Sequence, residues 1–386
     1  MQYAERMSRL GTETAFEVLA RAKALEAEGR SIIHLEIGEP DFTTPQYIKD
    51  AAYKALNDGY THYVPAPGLM EAREVYAQYI SETRGMDVKP TEIVITPGAK
   101  PILFFGILAL ADPGDEVICP NPGFPIFESV TNFVGAKAVP APLREERQFR
   151  LDPEELKSLV TEKTKLIILN SPQNPTGSVL TKEDFEAIAE VAIANDLWVL
   201  SDEPYSKMIY EGEHYSIAAV EGMKERTILL EGFSKTYAMT GWRLGYGVMN
   251  EELAGEISRL QTNCTSCTSA HTQMAGVAAY QGPQEESEAM MAEFEKRRDV
   301  IVPLLNDLPG VSCLSPAGAF YVFPNVTECE DHCDILAKRI LEEAGVAVLS
   351  GTAFGEYGDG YLRLSSANSI ENIEEAITRI RNLLEG

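Results

Sequence analysis

The stretch KLIILNSPQNPTGSVLTKEDFEAIAEVAIANDLWVLSD, residues 165–202, decides the fold of this 386-residue chain. Two apolar runs, Lys165–Asn170 and Leu197–Asp202, end in polar residues, and a helical pattern over Thr181–Asn195 lies between them. A strand, a covering helix and a second strand in this order are typical of parallel sheets that are buried on both faces. Ligands of such sheets bind at the carboxyl ends of the strands, so the polar residues after each run are candidate site residues.

The same alternation of strands and helices continues on both sides of this unit. Further strands are expected at Ile32–Ile37, Glu92–Thr96, Glu116–Cys119, Thr227–Leu230 and Arg243–Val248. Further helices are expected at Thr14–Glu28, Pro45–Leu56, Leu69–Thr83 and Lys100–Ala111. The expected fold class is therefore α/β, with a large domain built on a mostly parallel, helix-covered sheet.

The pattern changes after about Gln281, where a long charged helix and short strands replace the regular alternation. The elements expected there are helices at Glu285–Leu305, Asp334–Ala344 and Ile370–Leu384, a strand at Ala319–Phe323, and two short strands before the last helix. They indicate a smaller α+β domain. We therefore expect an N-terminal segment (residues 1–45) that joins the small domain, a large domain (46–281) and a small C-terminal domain (282–386).

Charge and hydropathy exclude several classes of function. The chain has 33 basic and 59 acidic side chains, and its formal net charge of −26 repels nucleic-acid phosphates and anionic lipids. The longest apolar run, Pro101–Ala111, is shorter than the roughly 20 residues of a membrane-spanning helix. The first ten residues show no apolar export signal, so the expected location is the cytoplasm.

Six cysteines and five histidines offer little to a metal ion. Cys264 and Cys267 form a lone CxxC pattern, and Cys329, His332 and Cys333 form a second group about sixty residues away. A structural zinc site usually pairs two such groups at closer spacing, so we expect no metal site. The histidines match no catalytic pattern and are expected to be structural.

Polar residues at the predicted strand ends form a recognisable set. Asp202 and Tyr205 follow one strand, the pair Ser234-Lys235 follows another, and Arg243 lies eight residues after the lysine. Three further groups stand at comparable positions: Gly98-Ala99-Lys100 before a helix, Asn174 after KLIILN, and Phe124 in the segment NPGFPIF.

One cofactor, pyridoxal phosphate, would use all of these groups. Its aldehyde needs a lysine amine with which to form a Schiff base, and its ring nitrogen needs a carboxylate that keeps the nitrogen protonated. Its ring hydroxyl needs hydrogen-bond donors, and its dianionic phosphate needs a cation and a helix N-terminus. Each motif alone is weak, and it is their joint occurrence in this order that indicates the cofactor.

Along essentially its whole length the sequence resembles the class I/II family of fold-type I, pyridoxal-phosphate-dependent aminotransferases. The motifs that carry the resemblance are GEPDF (38–42), YVPAPG (63–68), PGAK (97–100), NPGFPIF (121–127), NSPQNPTG (170–177), SDEPY (201–205), SKTYAMTGWRLGY (234–246) and YLRLS (361–365). The resemblance implies a fold-type I transferase fold in which residues 46–281 bind the cofactor, and transfer of an amino group from an L-amino acid to a 2-oxo acid.

The resemblance also implies roles for individual residues. Lys235 is the Schiff-base lysine and general base, Asp202 pairs with the pyridinium nitrogen, and Tyr205 bonds the ring hydroxyl. The implied cofactor contacts are Gly98, Ala99, Lys100, Phe124, Asn174, Asp202, Tyr205, Ser234, Lys235 and Arg243, with Tyr63 from the neighbouring subunit of a homodimer. The implied substrate contacts are Gly38, Phe124, Asn174 and Arg363, whose guanidinium holds the α-carboxylate.

Several alternatives stay open at this point. Lys100 contacts phosphate, substrate or solvent, and Gly232 stands where relatives often carry a hydroxyl residue. The segment Gln261–Gln273 has no Arg or Lys, which weakens a strict preference for dicarboxylates, although Lys100 or an N-terminal residue could supply the second charge. The aromatic residues Phe16, Phe124 and Tyr63 favour a broad, partly aromatic or aliphatic range. The expected acceptor is 2-oxoglutarate or pyruvate. A C–S β-lyase of the same fold and a non-catalytic regulatory module are the alternative functions.

Overall fold

Residues 2–386, which the computed structural model describes, form twelve α-helices and twelve strands. The helices are α1 (Thr14–Ala27), α2 (Gln46–Asn57), α3 (Met70–Arg84), α4 (Lys100–Leu110), α5 (Ile126–Val134), α6 (Pro153–Leu159), α7 (Lys182–Ala194), α8 (Glu251–Cys264), α9 (Ala270–Gln281), α10 (Glu285–Asn306), α11 (Cys333–Arg339) and α12 (Ile370–Glu385). The strands are β1 (Ile33–His34), β2 (Ile93–Thr96), β3 (Glu116–Asn121), β4 (Lys137–Pro142), β5 (Thr164–Asn170), β6 (Trp198–Asp202), β7 (Thr227–Gly232), β8 (Gly245–Val248), β9 (Tyr321–Val322), β10 (Val346–Ala347), β11 (Leu349–Ser350) and β12 (Leu362–Ser365).

The large sheet has seven strands in the order β2–β8–β7–β6–β5–β3–β4. The strands from β7 to β4 in this order pair in parallel, whereas β8 runs antiparallel to both of its neighbours. The expected α/β fold with a mostly parallel, helix-covered sheet is confirmed.

The unit of residues 165–202 folds as its pattern predicts. Strands β5 and β6 pair in parallel, with Asn170 beside Asp202 at the carboxyl edge. Helix α7 between them begins at a capping box, in which Thr181 Oγ1 accepts from the Asp184 amide and the Asp184 carboxylate accepts from the Thr181 amide. Its Phe185 packs with alternate residues of both strands. The apolar face of the helix, which repeats every 3.6 residues, and the apolar face of the strands, which repeats every 2 residues, therefore form one core.

The two faces of the sheet are covered by different helices. Leu200 of β6 packs with Leu103 of α4 on one face, and Leu229 of β7 packs with α3 and α9 on the other. Because successive side chains of a strand alternate between faces, Asp202 lies on the α4 side. Glu203, the next residue, points to the α3 side. The fold thus separates two adjacent carboxylates.

On the α3 side, Glu203 belongs to a buried ionic cluster. Arg84 donates to Glu203 at 2.9 Å and to Glu231 at 2.6 Å, and none of the three side chains is more than 3 % exposed. Glu203 also accepts from Ser201, Ser216 and His214. Burial alone raises the pKa of Glu203, but the Arg84 guanidinium and His214 outweigh it and lower that pKa to about 2.

The C-terminal region forms two small sheets around a separate apolar core. Strand β1 pairs in parallel with β10, and β11, β12 and β9 form an antiparallel sheet in that order. This core is built mainly from α10, α11, α12 and these short strands. The N-terminal segment therefore contacts the C-terminal region through β1, while the proposed boundaries at residues 45 and 281 stay a prediction.

Several elements differ from the expectation. The strand expected over Ile32–Ile37 ends at His34. The next two carbonyls leave the ladder with β10: that of Leu35 accepts from the Ser365 amide of β12, and that of Glu36 accepts from the Arg363 side chain. The strand expected from Ala319 starts at Tyr321, since Ala319 has a φ of 56°. Helix α11 is shorter than expected and ends in a π-helical turn, Ile340–Ala344.

Three short strands, β10, β11 and β12, precede the last helix where two were expected. In addition, five elements were not expected from the sequence: α5, β4, α6, α8 and α9. Helix α9 shows why, because it packs between α2 and α3 and carries small and apolar residues on most of its surface. It therefore lacks the polar face that marks an amphipathic helix. Among the described residues, no helix has both the length and the apolar character that crossing a bilayer requires.

Candidate active site

A cavity of about 500 Å³ opens at the carboxyl edge of the large sheet. Its walls come from the ends of β5, β6 and β7, the first turn of α4, the N-terminal segment and the C-terminal region. Eleven of the thirteen residues singled out in the sequence line it: Gly38, Ala99, Lys100, Phe124, Asn174, Asp202, Tyr205, Ser234, Lys235, Arg243 and Arg363. The fold thus gathers groups that are spread over more than 300 residues of sequence.

Lys235 lies three residues after β7 and projects into the cavity. Its Nζ donates a hydrogen bond to the carbonyl oxygen of Gly38. Burial is the largest influence on its amine, and together with the nearby Arg363 and Lys100 cations it outweighs Glu39 and lowers the pKa of Lys235 to about 8. An appreciable fraction of the amine is therefore neutral near neutral pH, as a nucleophile or base must be.

Asp202 ends β6 and is 8 % exposed. Its backbone carbonyl accepts a bond from Asn170 Nδ2 at 2.9 Å, but no protein group among residues 2–386 donates to its carboxylate. Burial, then Glu231 and Glu203, raise the pKa of Asp202 to about 8 against the opposing effect of Lys235. A cationic or N–H-bearing ligand group beside this carboxylate would favour its charged form.

The loop before α4 and the segment after β7 form an anion cradle. Gly98 has a φ of 83°, and a Cβ at this position would lie 2.2 Å from Arg243 Nη2, so only glycine lets the arginine approach. Arg243 is itself held by a 2.9 Å bond from Nη1 to the Thr240 carbonyl. A helix N-terminus, a guanidinium and the Ser234 hydroxyl together suit a phosphate group.

Arg363 projects from β12 into the cavity and is 4 % exposed. Its Nη2 donates to the Glu36 carbonyl, and its Nη1 lies 3.3 Å from Asn174 Oδ1. The guanidinium carbon stands 4.7 Å from the ring centroid of Tyr321 and 5.0 Å from that of Phe354. The buried Nε has no partner among residues 2–386, so this guanidinium is well placed to bind a carboxylate.

Tyr321 is a cavity residue that the sequence analysis missed. Its hydroxyl lies 2.8 Å from that of Tyr205, and a Cβ at Gly38 would lie 2.0 Å from the same hydroxyl. Burial raises the pKa of both tyrosines, which keeps both hydroxyls protonated. The sequence signal that could have revealed Tyr321 was the glycine of GEPDF, Gly38. A glycine beside a pocket leaves room for another group to approach the backbone closely.

Aromatic and charged side chains meet at the mouth of the cavity. Phe124 packs edge-on against Phe127, with ring centroids 5.7 Å apart, and Lys100 Nζ lies 5.2 Å from the Phe124 centroid. Lys100 also pairs with Glu13, a residue of the N-terminal segment that the sequence analysis did not single out.

Two residues from the sequence analysis lie outside the cavity lining. Gly98 stands behind it, against Arg243. Tyr63 is 89 % exposed and makes no side-chain hydrogen bond within the part of the chain that the structure describes.

Away from the cavity, residues 2–386 contain one group of three potential metal ligands, His332, Cys333 and Asp334, whose ligand atoms lie within 4.8 Å of one another. Each already has a protein partner: Asp359 for His332, Ser350 for Cys333 and Thr352 for Asp334. The expectation that the chain holds no metal stays a prediction.

The chain is similar to known proteins over its whole length. The sequence model of the family "Aminotransferase class I and II" matches residues 30–380. The chain is 40 % identical to an aspartate aminotransferase of Bacillus subtilis, over 100 % of this chain and 99 % of that protein. It is 41 % identical to aromatic-amino-acid aminotransferase 2 of Thermococcus litoralis, over 92 % of each.

Solved structures show the same similarity in three dimensions. The aspartate aminotransferase of Thermus thermophilus with maleate superposes with a TM-score of 0.95 at 36 % identity, over 100 % of both chains. The aromatic aminotransferase of Pyrococcus horikoshii superposes with a TM-score of 0.90 at 41 % identity, over 94 % of this chain and 98 % of that one.

Proposed function

The chain belongs to the family of class I and II aminotransferases, and we propose that it transfers amino groups with Lys235 and Asp202 as its central catalytic residues. The family resemblance and the aminotransferase activity expected from the sequence are confirmed. The relatives and solved structures described above are all aminotransferases, which favours transfer over the C–S lyase and regulatory alternatives.

The family generally depends on pyridoxal phosphate, and the residues present fit this cofactor. Asp202 is a buried carboxylate to which none of the described residues donates a hydrogen bond. Gly98 leaves the space that Arg243 occupies in the anion cradle. Lys235 is an amine with a lowered pKa in the same cavity. These observations support binding of a molecule with a protonated ring nitrogen, a phosphate and an electrophilic carbonyl.

When bound, pyridoxal phosphate supplies an aldehyde that joins to amines and a ring that withdraws electrons from the substrate Cα. We propose that Asp202 keeps a proton on the ring nitrogen and that Tyr205 and Asn174 bond the ring hydroxyl. Phe124, fixed by its contact with Phe127, would cover one face of the ring. The proposed phosphate contacts are Gly98, Ala99, Ser234 and Arg243, the backbone amide of Lys100 at the start of α4, and Tyr63 of a second subunit. The side-chain ammonium of Lys100 pairs with Glu13 instead.

The chain's own residues would bind the substrate and move its proton. Arg363 would take the α-carboxylate with its unpartnered Nε and neighbouring N–H groups. The Gly38 carbonyl, which accepts from Lys235 Nζ, would hold the amine on the substrate side of the cavity. Lys235 Nζ would then remove the proton from the substrate Cα and carry it until it is returned.

The observation that carries this proposal is the meeting of Lys235, Asp202 and Arg363 in one cavity. The test is borohydride reduction of protein loaded with pyridoxal phosphate, followed by peptide mapping. We expect the pyridoxyl group on Lys235 and a visible band that shifts when an amino acid is added. A label on another lysine would overturn the assignment. A panel of amino donors with 2-oxoglutarate and pyruvate then measures the substrate range.

The lowered pKa of Lys235 predicts the pH dependence of cofactor capture. Only the neutral amine attacks an aldehyde, so the capture rate by cofactor-free protein should rise about tenfold per pH unit below the pKa and level off above it. With a pKa of about 8, the plateau is expected near pH 8 to 9, well below that of an ordinary lysine. Stopped-flow absorbance measures the rate, and a rise that continues to pH 10 contradicts the prediction.

We also propose that the active unit is a homodimer with shared sites. Three exposed aromatic or apolar side chains lie on or beside α2 and α3: Tyr53, Tyr63 and Met70. The Tyr63 side chain is too exposed to contribute to the core of its own subunit. A second copy packed around a two-fold axis would cover these groups and bring Tyr63 to the partner's cavity.

Mixing a weakly active variant with an inactive one tests the shared site. Tyr63→Phe subunits keep their own lysine, and Lys235→Ala subunits keep their own tyrosine. A mixed dimer therefore contains one intact site, and activity is expected to rise above that of both parent dimers after subunit exchange. The separate homodimers are the controls. No rise despite exchange shown by mass spectrometry means that each site is complete within one chain. The cytoplasmic location and the absence of nucleic-acid partners stay predictions.

A further inference from the structure

The cavity has one ion pair at its mouth that the proposed chemistry does not use. Glu13 of the N-terminal segment reaches over the cavity and pairs with Lys100, the first residue of α4. The Glu13 side chain is 19 % exposed and that of Lys100 is 44 % exposed. Both residues line the cavity, together with Phe16 and Phe124.

The segment that carries Glu13 is tied down on both sides. Before it, Arg9 Nε donates to the Asn132 carbonyl at 3.0 Å, and the Gly11 amide donates to Ser129 Oγ at 2.9 Å. After it, α1 begins at Thr14, and Val18 packs against the apolar core of the large sheet. Glu13 is therefore held beside Lys100 by the fold on either side of it.

The four cations that line the cavity, and the roles proposed for them, show what the Glu13–Lys100 pair does. These cations are Lys100, Lys235, Arg243 and Arg363. Three of them have roles in the proposed function: Lys235 is the base, Arg243 binds the phosphate and Arg363 binds the α-carboxylate. Lys100 is the remaining cation that could receive a second carboxylate from a substrate side chain, and Glu13 already neutralises it.

We propose that Glu13 determines substrate specificity by occupying Lys100, so that the cavity favours amino acids with uncharged, including aromatic, side chains over dicarboxylic ones. This inference rests on the proposed function, in which Arg363 holds the α-carboxylate. A substrate carboxylate at the mouth would have to displace Glu13 or lie beside it, and like charges placed together are a recognised means of rejecting a ligand. An uncharged side chain meets Phe16 and Phe124 without this cost.

The test compares Glu13→Gln with the matched control Glu17→Gln. Glu17 is an exposed residue of the first turn of α1 and has no ion pair among the described residues. The holoenzyme is mixed with L-aspartate or L-phenylalanine alone, and the single-turnover reaction is followed by the visible band of the cofactor. This reaction needs no oxo acid, so the acceptor's own carboxylates do not enter the comparison.

We expect Glu13→Gln to raise the ratio of aspartate to phenylalanine efficiency about tenfold, through tighter aspartate binding and with little change in the maximal rate. Glu17→Gln should leave the ratio within twofold of the wild type. Binding without turnover gives a second readout: succinate should bind Glu13→Gln about tenfold more tightly than the wild type, and 3-phenylpropionate should bind both equally. Adding Lys100→Met to Glu13→Gln should abolish the gain for both dicarboxylates.

Two results would overturn the inference, and they are distinguishable from each other. If wild-type holoenzyme reacts with both donors but Glu13→Gln changes neither the ratio nor succinate binding, Glu13 does not select substrates and the proposed function stands. If the wild type reacts with neither donor and borohydride does not label Lys235, the proposed function fails and the inference fails with it.

Discussion

Replacing Lys235 with alanine is expected to lower kcat by about 10⁴-fold or more, the largest effect of any single substitution in this protein. The substitution removes both the amine that joins to the cofactor and the base that removes the substrate proton. No other lysine lines the same part of the cavity: Lys100 stands at the mouth, paired with Glu13. The residual cradle of Gly98 and Arg243 should still bind the cofactor.

The measurement combines steady-state activity with cofactor binding. Lys235→Ala should keep bound pyridoxal phosphate after gel filtration but show the spectrum of the free aldehyde, and added methylamine should restore part of the activity. Lys182→Ala is the control, because the one ion pair of Lys182 within the described part of the chain is with Glu186 on the surface of α7. Activity above one hundredth of the wild type without added amine would assign the base to another residue.

Replacing Asp202 with asparagine is expected to slow removal of the substrate proton by about 10²- to 10³-fold, the typical effect of deleting one preorganised electrostatic partner in a water-poor site. The amide keeps the shape of the side chain but does not hold a proton on the ring nitrogen. Attachment of the cofactor to Lys235 should survive, because that step does not need the carboxylate. Deuterium exchange at the substrate Cα measures the proton step separately from later ones.

Glu203 is the competing candidate for this role, since it follows Asp202 directly. Its carboxylate already accepts from Arg84, Ser201, Ser216 and His214 on the α3 side of the sheet, and Asp202 is the one of the two that lines the cavity. Asp196→Asn, at a 95 % exposed side chain, is the control. Near-normal exchange in Asp202→Asn would transfer the role to another group.

Much of the candidate site was predictable from sequence, because a parallel sheet fixes where the ends of its strands lie relative to one another. Once Lys165–Asn170 and Leu197–Asp202 are strands joined by a helix, their carboxyl ends must lie at one edge of the sheet. Asn174, Asp202 and Lys235 follow such ends, and all three line the cavity. Two short strands were predicted less well: the one expected at Ile32–Ile37 ends early, beside the Arg363 side chain, and the one expected from Ala319 starts late because of the positive φ of that residue.

The sequence by itself determined which polar residues end the strands, because strand direction and side-chain alternation are local properties of the chain. The tertiary structure alone decided what each of them faces. Arg84 neutralises Glu203 across 119 residues and leaves Asp202 as the carboxylate of the cavity. Glu13 reaches Lys100 across 87 residues. Tyr321 meets Tyr205 and Gly38 only because the C-terminal sheet packs over the edge of the large one. Such contacts depend on how whole elements pack, and no pattern within a single segment records them.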